Sequence, residues 1–163
     1  MPDLQRLRAD HAAALLAFEQ KNRTYFAASV PDRGEDYFTH FEARHRDLLA
    51  EQAAGLHYFH VLVDPRGEVL GRINLVNVQD RSAELGFRIA ERAAGQGLAT
   101  TAVRQTCVLA ATEYNLAALR ARTTYDNAGS RAVLARTGFV QTGQIQLDSQ
   151  AGLHFERDLA NLR

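Results

Sequence analysis

The feature that most constrains this chain is a change of period around Arg92–Thr100. Before it, Ala83, Leu85, Phe87 and Ile89 alternate with Glu84, Gly86 and Arg88, the two-residue period of a half-buried strand. After it, Ala99, Ala102, Val103, Thr106, Cys107, Ala110, Ala111 and Tyr114 recur at helical spacing. The junction reads Arg92-Ala93-Ala94-Gly95-Gln96-Gly97-Leu98-Ala99-Thr100. A strand that feeds a helix through a glycine-bearing turn commits the chain to a sheet with helices packed on it. It also sets the free N–H groups and partial positive charge of a helix start beside a turn that can bend around an anion. A phosphate cradle and a plain strand-to-helix turn both suit the string. It is not a P-loop, because no Gly-Lys-Ser/Thr follows, and it is not a complete Gly-x-Gly-x-x-Gly fingerprint.

The rest of the chain fits this commitment. Leu4 to Arg8 alternates as a short first strand, and Asp10 is placed to cap a helix carrying Ala12, Leu15, Leu16 and Glu19. Pro31-Asp32-Arg33-Gly34 breaks the chain. A second amphipathic helix then carries Tyr37, Phe38, Phe41, His45, Leu48, Leu49 and Gln52 and stops near Gly55. Strands follow at Leu56–Val63, Val69–Val78 and Ser82–Ala90, separated by the turns Asp64-Pro65-Arg66-Gly67 and Gln79-Asp80-Arg81. Beyond the helix that opens at Leu98, Leu119–Thr124 reads as a strand. A short helix then buries Val133 and Leu134 and ends at Gly138. Phe139–Leu147 and Leu153–Leu159 are closing strands. The order β-α-α-β-β-β-α-β-α-β-β predicts an α/β (α+β) fold. Its sheet is central, mixed and mostly antiparallel, with about six or seven strands and helices on both faces. Residues 1–163 read as one domain, with no linker or repeat.

Several partners are disfavoured. Lys+Arg (19) equals Asp+Glu (19), so there is no global attraction to nucleic acid or to an anionic membrane. No apolar run is long enough to span a bilayer, and Met1-Pro2-Asp3-Leu4 carries no signal pattern, so a cytoplasmic protein is the expectation. Cys107, the single cysteine, permits no intrachain disulfide and sits where a small buried residue is expected. His57 and His60 point to opposite faces of a strand, His40 and His45 are poorly matched on a helix, and no His-Glu-x-x-His occurs. Metal-free chemistry is expected.

A second string, Asn127-Ala128-Gly129-Ser130, is followed by Leu134 and by Gly138-Phe139. Asn127 can cap the short helix, Ser130 would present a hydroxyl from its first turn, and Arg131 could meet a phosphate. An ordinary capped helix would look the same. The two strings in this order resemble the GNAT superfamily of acyl-CoA-dependent N-acyltransferases. More narrowly, the chain is similar to the ribosomal-protein alanine/serine N-acetyltransferase branch (RimJ/RimL-type). Leu15-Leu16-Ala17-Phe18-Glu19, Gly71-Arg72-Ile73-Asn74-Leu75, Ala83-Glu84-Leu85-Gly86-Phe87 and Gly97-Leu98-Ala99-Thr100 carry that likeness. Gln144–Arg163 matches the branch poorly.

The resemblance implies a GNAT fold, acetyl-CoA as cosubstrate, no metal, and direct transfer to an amine. That amine is a protein N-terminus or a small molecule. It places CoA contacts at Phe87, Arg88, Ile89, Arg92, Gly95, Gln96, Gly97, Leu98, Ala99, Thr100, Asn127, Ser130 and Arg131. Glu84 is the candidate base: Glu84 to Ala90 spans about 20 Å of strand, comparable to an extended pantetheine arm. Leu134 stands where many members carry a tyrosine that protonates the thiolate; the resemblance to the ribosomal-protein branch implies Ser130 as the acid in its place, with Tyr125 and Tyr114 behind it. The acceptor pocket is expected between the first helices and the closing hairpin, with Phe18, Tyr25, Phe26, Tyr37 and Phe41 as possible walls. A non-catalytic acyl-CoA-binding module and a toxin-like aminoacyl-tRNA acetyltransferase are the alternatives. The expected assembly is a monomer or a homodimer.

Overall fold

The computed structural model describes residues 2–147 and 149–163. Strand β1 (Asp3–Arg6) leads into helices α1 (Ala12–Lys21), α2 (Arg23–Ala27), α3 (Glu35–Thr39) and α4 (Phe41–Ala53). Strands β2 (Tyr58–Val63), β3 (Val69–Gln79) and β4 (Ser82–Ile89) follow as a meander. Helix α5 (Leu98–Thr112), strand β5 (Ala118–Thr124), helix α6 (Ala128–Arg136), and strands β6 (Val140–Leu147) and β7 (Gln150–Asp158) complete the order. The seven strands form one mixed sheet, β1-β2-β3-β4-β5-β7-β6.

Only β4 and β5 run parallel, and their pairing is short. It joins Ser82, Ala83, Glu84 and Leu85 to Ala118, Leu119, Arg120 and Ala121, and goes no further. Gly86–Ile89 and Arg122–Thr124 diverge from that point. β4 stays paired with β3 through Ile89, and β5 with β7 through Thr124. The sheet is therefore whole at one end and split at the other.

Each face buries its own core. On one, α5 turns Ala102, Val103, Thr106, Cys107, Ala110 and Ala111 inward. They meet Ile73, Leu75, Leu85, Leu119, Leu134 and Phe155. The small side chains along α5 let its backbone lie close to β3 and β4. On the other face, Leu15 and Phe18 of α1 pack with Phe26, Phe41, Phe59 and Val61. A leucine as fully buried as Leu15 or Leu119 contributes about 2–5 kcal/mol against alanine.

The first helical region departs from the sequence expectation. Two helices become four, because Asn22 (φ −105°) and His40 (φ −109°) interrupt the runs. Asn22 is held from both sides: its amide donates to the Phe18 carbonyl at 2.9 Å, and its Oδ1 accepts from the Glu91 N–H at 3.0 Å. Asp10 does not cap α1. Its carboxylate pairs with Arg8 at 3.0 Å, while His11 Nδ1 accepts from the Arg8 N–H at 2.9 Å.

Candidate active site

The split in the sheet opens onto two adjoining cavities. The first, of about 430 Å³, is bounded by Phe87, Arg88 and Ile89 of β4, the glycine turn, the start of α5, and one side of α6. The second, of about 630 Å³, is bounded by Leu85–Phe87, Ala121–Thr124, the segment Ala27–Pro31, and the β6–β7 hairpin end at Leu147, Ser149 and Gln150. Ser29, Val30, Phe87, Asn127 and Ser130 line both, so they meet there.

The first cavity fits a phosphate-bearing ligand. Gly95 and Gly97 both have φ +76°, and nothing stands within 4 Å of where a Cβ would be. Side-chain-bearing residues resist that backbone conformation. Gly97 ends the turn as the N-cap of α5, and Thr101 is the first N–H in the helix to bond back, to the Gly97 carbonyl at 3.1 Å. The N–H groups before it have no partner within the helix, and Leu98, Ala99 and Thr100 lie on the cavity wall, an arrangement suited to an anion. Arg136 also lines this cavity, a cation that the sequence reading missed because it lies at the far end of α6 from Asn127.

The structure brings most of the expected residues together: Phe87, Arg88, Ile89, Gly95, Gly97, Leu98, Ala99, Thr100, Asn127 and Ser130 all line the first cavity. Asn127 Oδ1 accepts from the Ser130 N–H at 3.1 Å, which fixes the first turn of α6 and leaves the Ser130 hydroxyl on the shared wall. Other expected residues lie outside the walls. Arg92 is drawn onto the β2–β3 turn by Glu68 at 2.6 Å and Asp64 at 3.4 Å. Gln96 bonds the Arg92 carbonyl at 3.4 Å. Arg131 donates to the Tyr125 carbonyl at 3.0 Å and lies over the Tyr125 ring. Glu84 lines neither cavity; Arg122 engages it side-on, Nε to Oε1 at 2.8 Å and Nη2 to Oε2 at 3.2 Å.

Tyr114, Tyr125 and the Cys107 thiol line neither cavity. Tyr114 belongs to a half-buried network: it stacks on Tyr58 and donates to His60 Nε2 at 2.6 Å, while the buried His60 donates from Nδ1 to the Ile73 carbonyl at 3.0 Å. Burial pushes the His60 imidazole down to about 4. Tyr125 is exposed, and Leu134 is packed in the core. The Cys107 thiol is buried, and that burial pushes it up to about 11. Of the expected acceptor walls, Phe18, Tyr37 and Phe41 are core residues, and Tyr25 and Phe26 line the first cavity but not the second. Among the described residues, no cluster could hold a metal ion, and no helix is long and apolar enough to cross a membrane.

Glu19 organises the wall behind the first cavity. It is only 1 % exposed, and Arg72, Arg33 and Arg88 reach it at 2.8, 3.0 and 3.1 Å. Burial opposes its charge, but the guanidiniums of Arg72 and Arg33 outweigh that and hold its carboxyl below the usual range. Arg88 is thereby pinned between Glu19 and the face of Phe26, 4.4 Å from the ring centre, where it forms part of the cavity wall. Nothing in the sequence pattern around Glu19 marks this, because its partners are supplied from the α2–α3 loop and from β3 and β4.

A sheet split after four pairs, a glycine turn at a helix start and an Asn-capped helix across the gap are the parts of a known design. The sequence model of the Acetyltransferase (GNAT) domain matches residues 3–140. The chain belongs to the GNAT acetyltransferase family. The GNAT match ends where β6 begins, so the β6–β7 hairpin lies outside it. No curated protein matches the chain. Among solved structures, the GNAT fold here is similar to a ribosomal-protein-S5-alanine acetyltransferase from Vibrio fischeri. That likeness has a TM-score of 0.92 and 19% identity, over 98% of this chain and 94% of the other. RimJ of Mycobacterium smegmatis, solved in complex with CoA-disulfide, gives 0.83 and 25% identity over 98% and 86%. A spermidine N-acetyltransferase SpeG chimera from Vibrio cholerae and hSSAT gives 0.82 and 16% over 99% and 97%.

Proposed function

We propose that this GNAT acetyltransferase takes an acetyl group from acetyl-CoA and transfers it directly to a primary amine while both are bound. The amine is a protein N-terminus or a small molecule. The observation that carries this is the pair of cavities meeting at Ser130, one ending in a phosphate cradle and the other opening past the hairpin. The CoA-bound RimJ relative supports the choice of cosubstrate.

Gly95, Gly97 and the first N–H groups of α5 would hold the pyrophosphate, with Arg136 as a further cation. Phe87, Arg88 and Ile89 would flank the pantetheine arm along β4. Bound acetyl-CoA supplies an activated thioester; the protein handles charge and protons around it. Ser130, on the wall common to both cavities, is assigned to protonate the departing thiolate. A main-chain N–H of β4 near Phe87 is assigned to the developing oxyanion. Glu84 is assigned to receive the proton lost by the amine. Because its carboxylate stands behind Arg122, that proton reaches it through water.

The test is release of free thiol from acetyl-CoA by the purified protein, across peptides starting with Ala, Ser or Met, amino acids and polyamines. Turnover with at least one amine is expected, and Ser130→Ala should lower kcat by about 100-fold while leaving the KM for acetyl-CoA near wild type. Thiol release no faster than the blank with every amine would remove the reading. Wild-type kcat in Ser130→Ala would remove Ser130 from its role.

A further inference from the structure

The second cavity, of about 630 Å³, is wide enough for an acceptor, and the charge on the described residues of its wall is one-sided. Among the described residues that line it, Arg122 is the only charged one. Its neighbours are small, apolar or neutral and polar, among them Thr123, Thr124, Ser130 and Gln150. The described residues of this wall give an incoming carboxylate a cation to meet and give a second ammonium no carboxylate.

Arg122 is placed by the split itself. Leu85↔Ala121 is the last β4–β5 pair, so Arg122 is the first β5 residue past the point where the strands part. It lies on the same sheet face as Glu84, because Glu84 is in register with Arg120, two residues back. Glu84 occupies one edge of the guanidinium, the Nε/Nη2 edge. A guanidinium has a second fork, Nη1 with the remaining hydrogen of Nη2, and no described residue bonds Nη1 of Arg122. With about half of its side chain exposed, Arg122 can offer that fork to the cavity it lines.

The geometry points to Arg122 as the specificity residue of the acceptor cavity: its end-on fork binds a carboxylate carried by the acceptor amine. Fork-to-carboxylate pairing is the strongest planar contact that arginine makes, and Glu84 holds the guanidinium in the plane it requires. The acceptor class is therefore an amine bearing a carboxylate, rather than a polycation. This rests on the acetyl-transfer reading above. Glu84 acts here as a positioning residue for Arg122, in addition to the proton role assigned to it.

Matched pairs of acceptors test this. One arm compares free amino acids with their carboxamides. The other compares C-terminally amidated peptides carrying Asp or Glu at the second position with their Asn or Gln counterparts. Rates are taken per unprotonated amine, since a carboxamide lowers the basicity of its neighbouring amine. In at least one arm, the carboxylate member should show a kcat/KM about tenfold or more above its neutral partner; the arm that does so identifies the source of the carboxylate. Arg122→Gln should bring that ratio near one, and Arg122→Lys should retain part of it. Ratios near one in both arms with the wild-type protein, or a ratio that survives Arg122→Gln, would overturn the assignment. If the neutral acceptors turn over and only the preference is missing, acetyl transfer stands and this inference alone is lost. If no amine in either arm releases thiol, the acetyl-transfer reading goes first.

Discussion

Replacing Glu19 with glutamine keeps the shape of the side chain and removes its charge. Glu19 and Arg72 are 1 % and 5 % exposed and 2.8 Å apart, so Arg72 would be left buried beside a neutral amide. Breaking a buried pair on one side costs about 3–5 kcal/mol. Arg33 and Arg88, at 29 % and 22 % exposed, are screened by solvent and add about 0.5 kcal/mol each. For a chain of 163 residues, the sum, about 4–6 kcal/mol, corresponds to a melting point lower by about 10–20 °C. Thermal melts followed by far-UV circular dichroism at pH 7 would show it. The pH dependence adds a second reading. The Glu19 carboxyl is held below its ordinary value in the folded chain, so its contribution is complete above pH 4.5 and is lost as pH falls through the depressed value. The gap between wild type and Glu19→Gln should therefore close in acid. Melting points within about 2 °C of each other at pH 7, or a gap that stays constant into acid, would refute the account of this cluster.

Gly97→Ala places a Cβ into the open side of the turn at φ +76°; acetyl-CoA should bind at least about tenfold more weakly by calorimetry, with about 1–2 kcal/mol lost in stability. Unchanged affinity would move the phosphate away from this turn. His60 is held near pKa 4 against 6.5, so the unfolded chain takes up its proton first and stability falls as pH drops from 6.5 toward 4, by up to about 3 kcal/mol from this residue. In His60→Gln, the urea midpoint should vary less with pH over that window; an equally steep dependence would assign the slope to other groups.

How much of this was legible in the sequence depends on how local the cause was. The β2–β3–β4 meander was plain because turn residues at Asp64–Gly67 and Gln79–Arg81 separate clean alternation. The glycine turn and the Asn127 cap were legible for the same reason: the side chain or φ angle that each needs is satisfied within three or four residues. The break at Asn22 was not, because its Oδ1 partner, the Glu91 N–H, lies 69 residues away. Glu19 looked like one residue of an amphipathic stripe, and only the assembled sheet brings Arg72 and Arg88 to it. Arg92 shows the opposite case. Its place in the string suggested a phosphate ligand, but two acids of the neighbouring turn compete for it in the fold. The short β4–β5 pairing was also hidden, because alternation continues to Ile89 whether or not a strand lies alongside.

That short pairing has a consequence for mechanics. Open sheets usually carry their free edges at the rim, where charges, bulges or covering loops guard them. Here two more edges lie in the interior, along Gly86–Ile89 and Arg122–Thr124, facing each other across a gap. A molecule with its own amide groups, laid in that gap, can serve as the strand the sheet lacks, and filling it would brace one half of the sheet against the other. Ligand binding and structural completion then become one event, and resistance to unfolding should rise with occupancy of the gap.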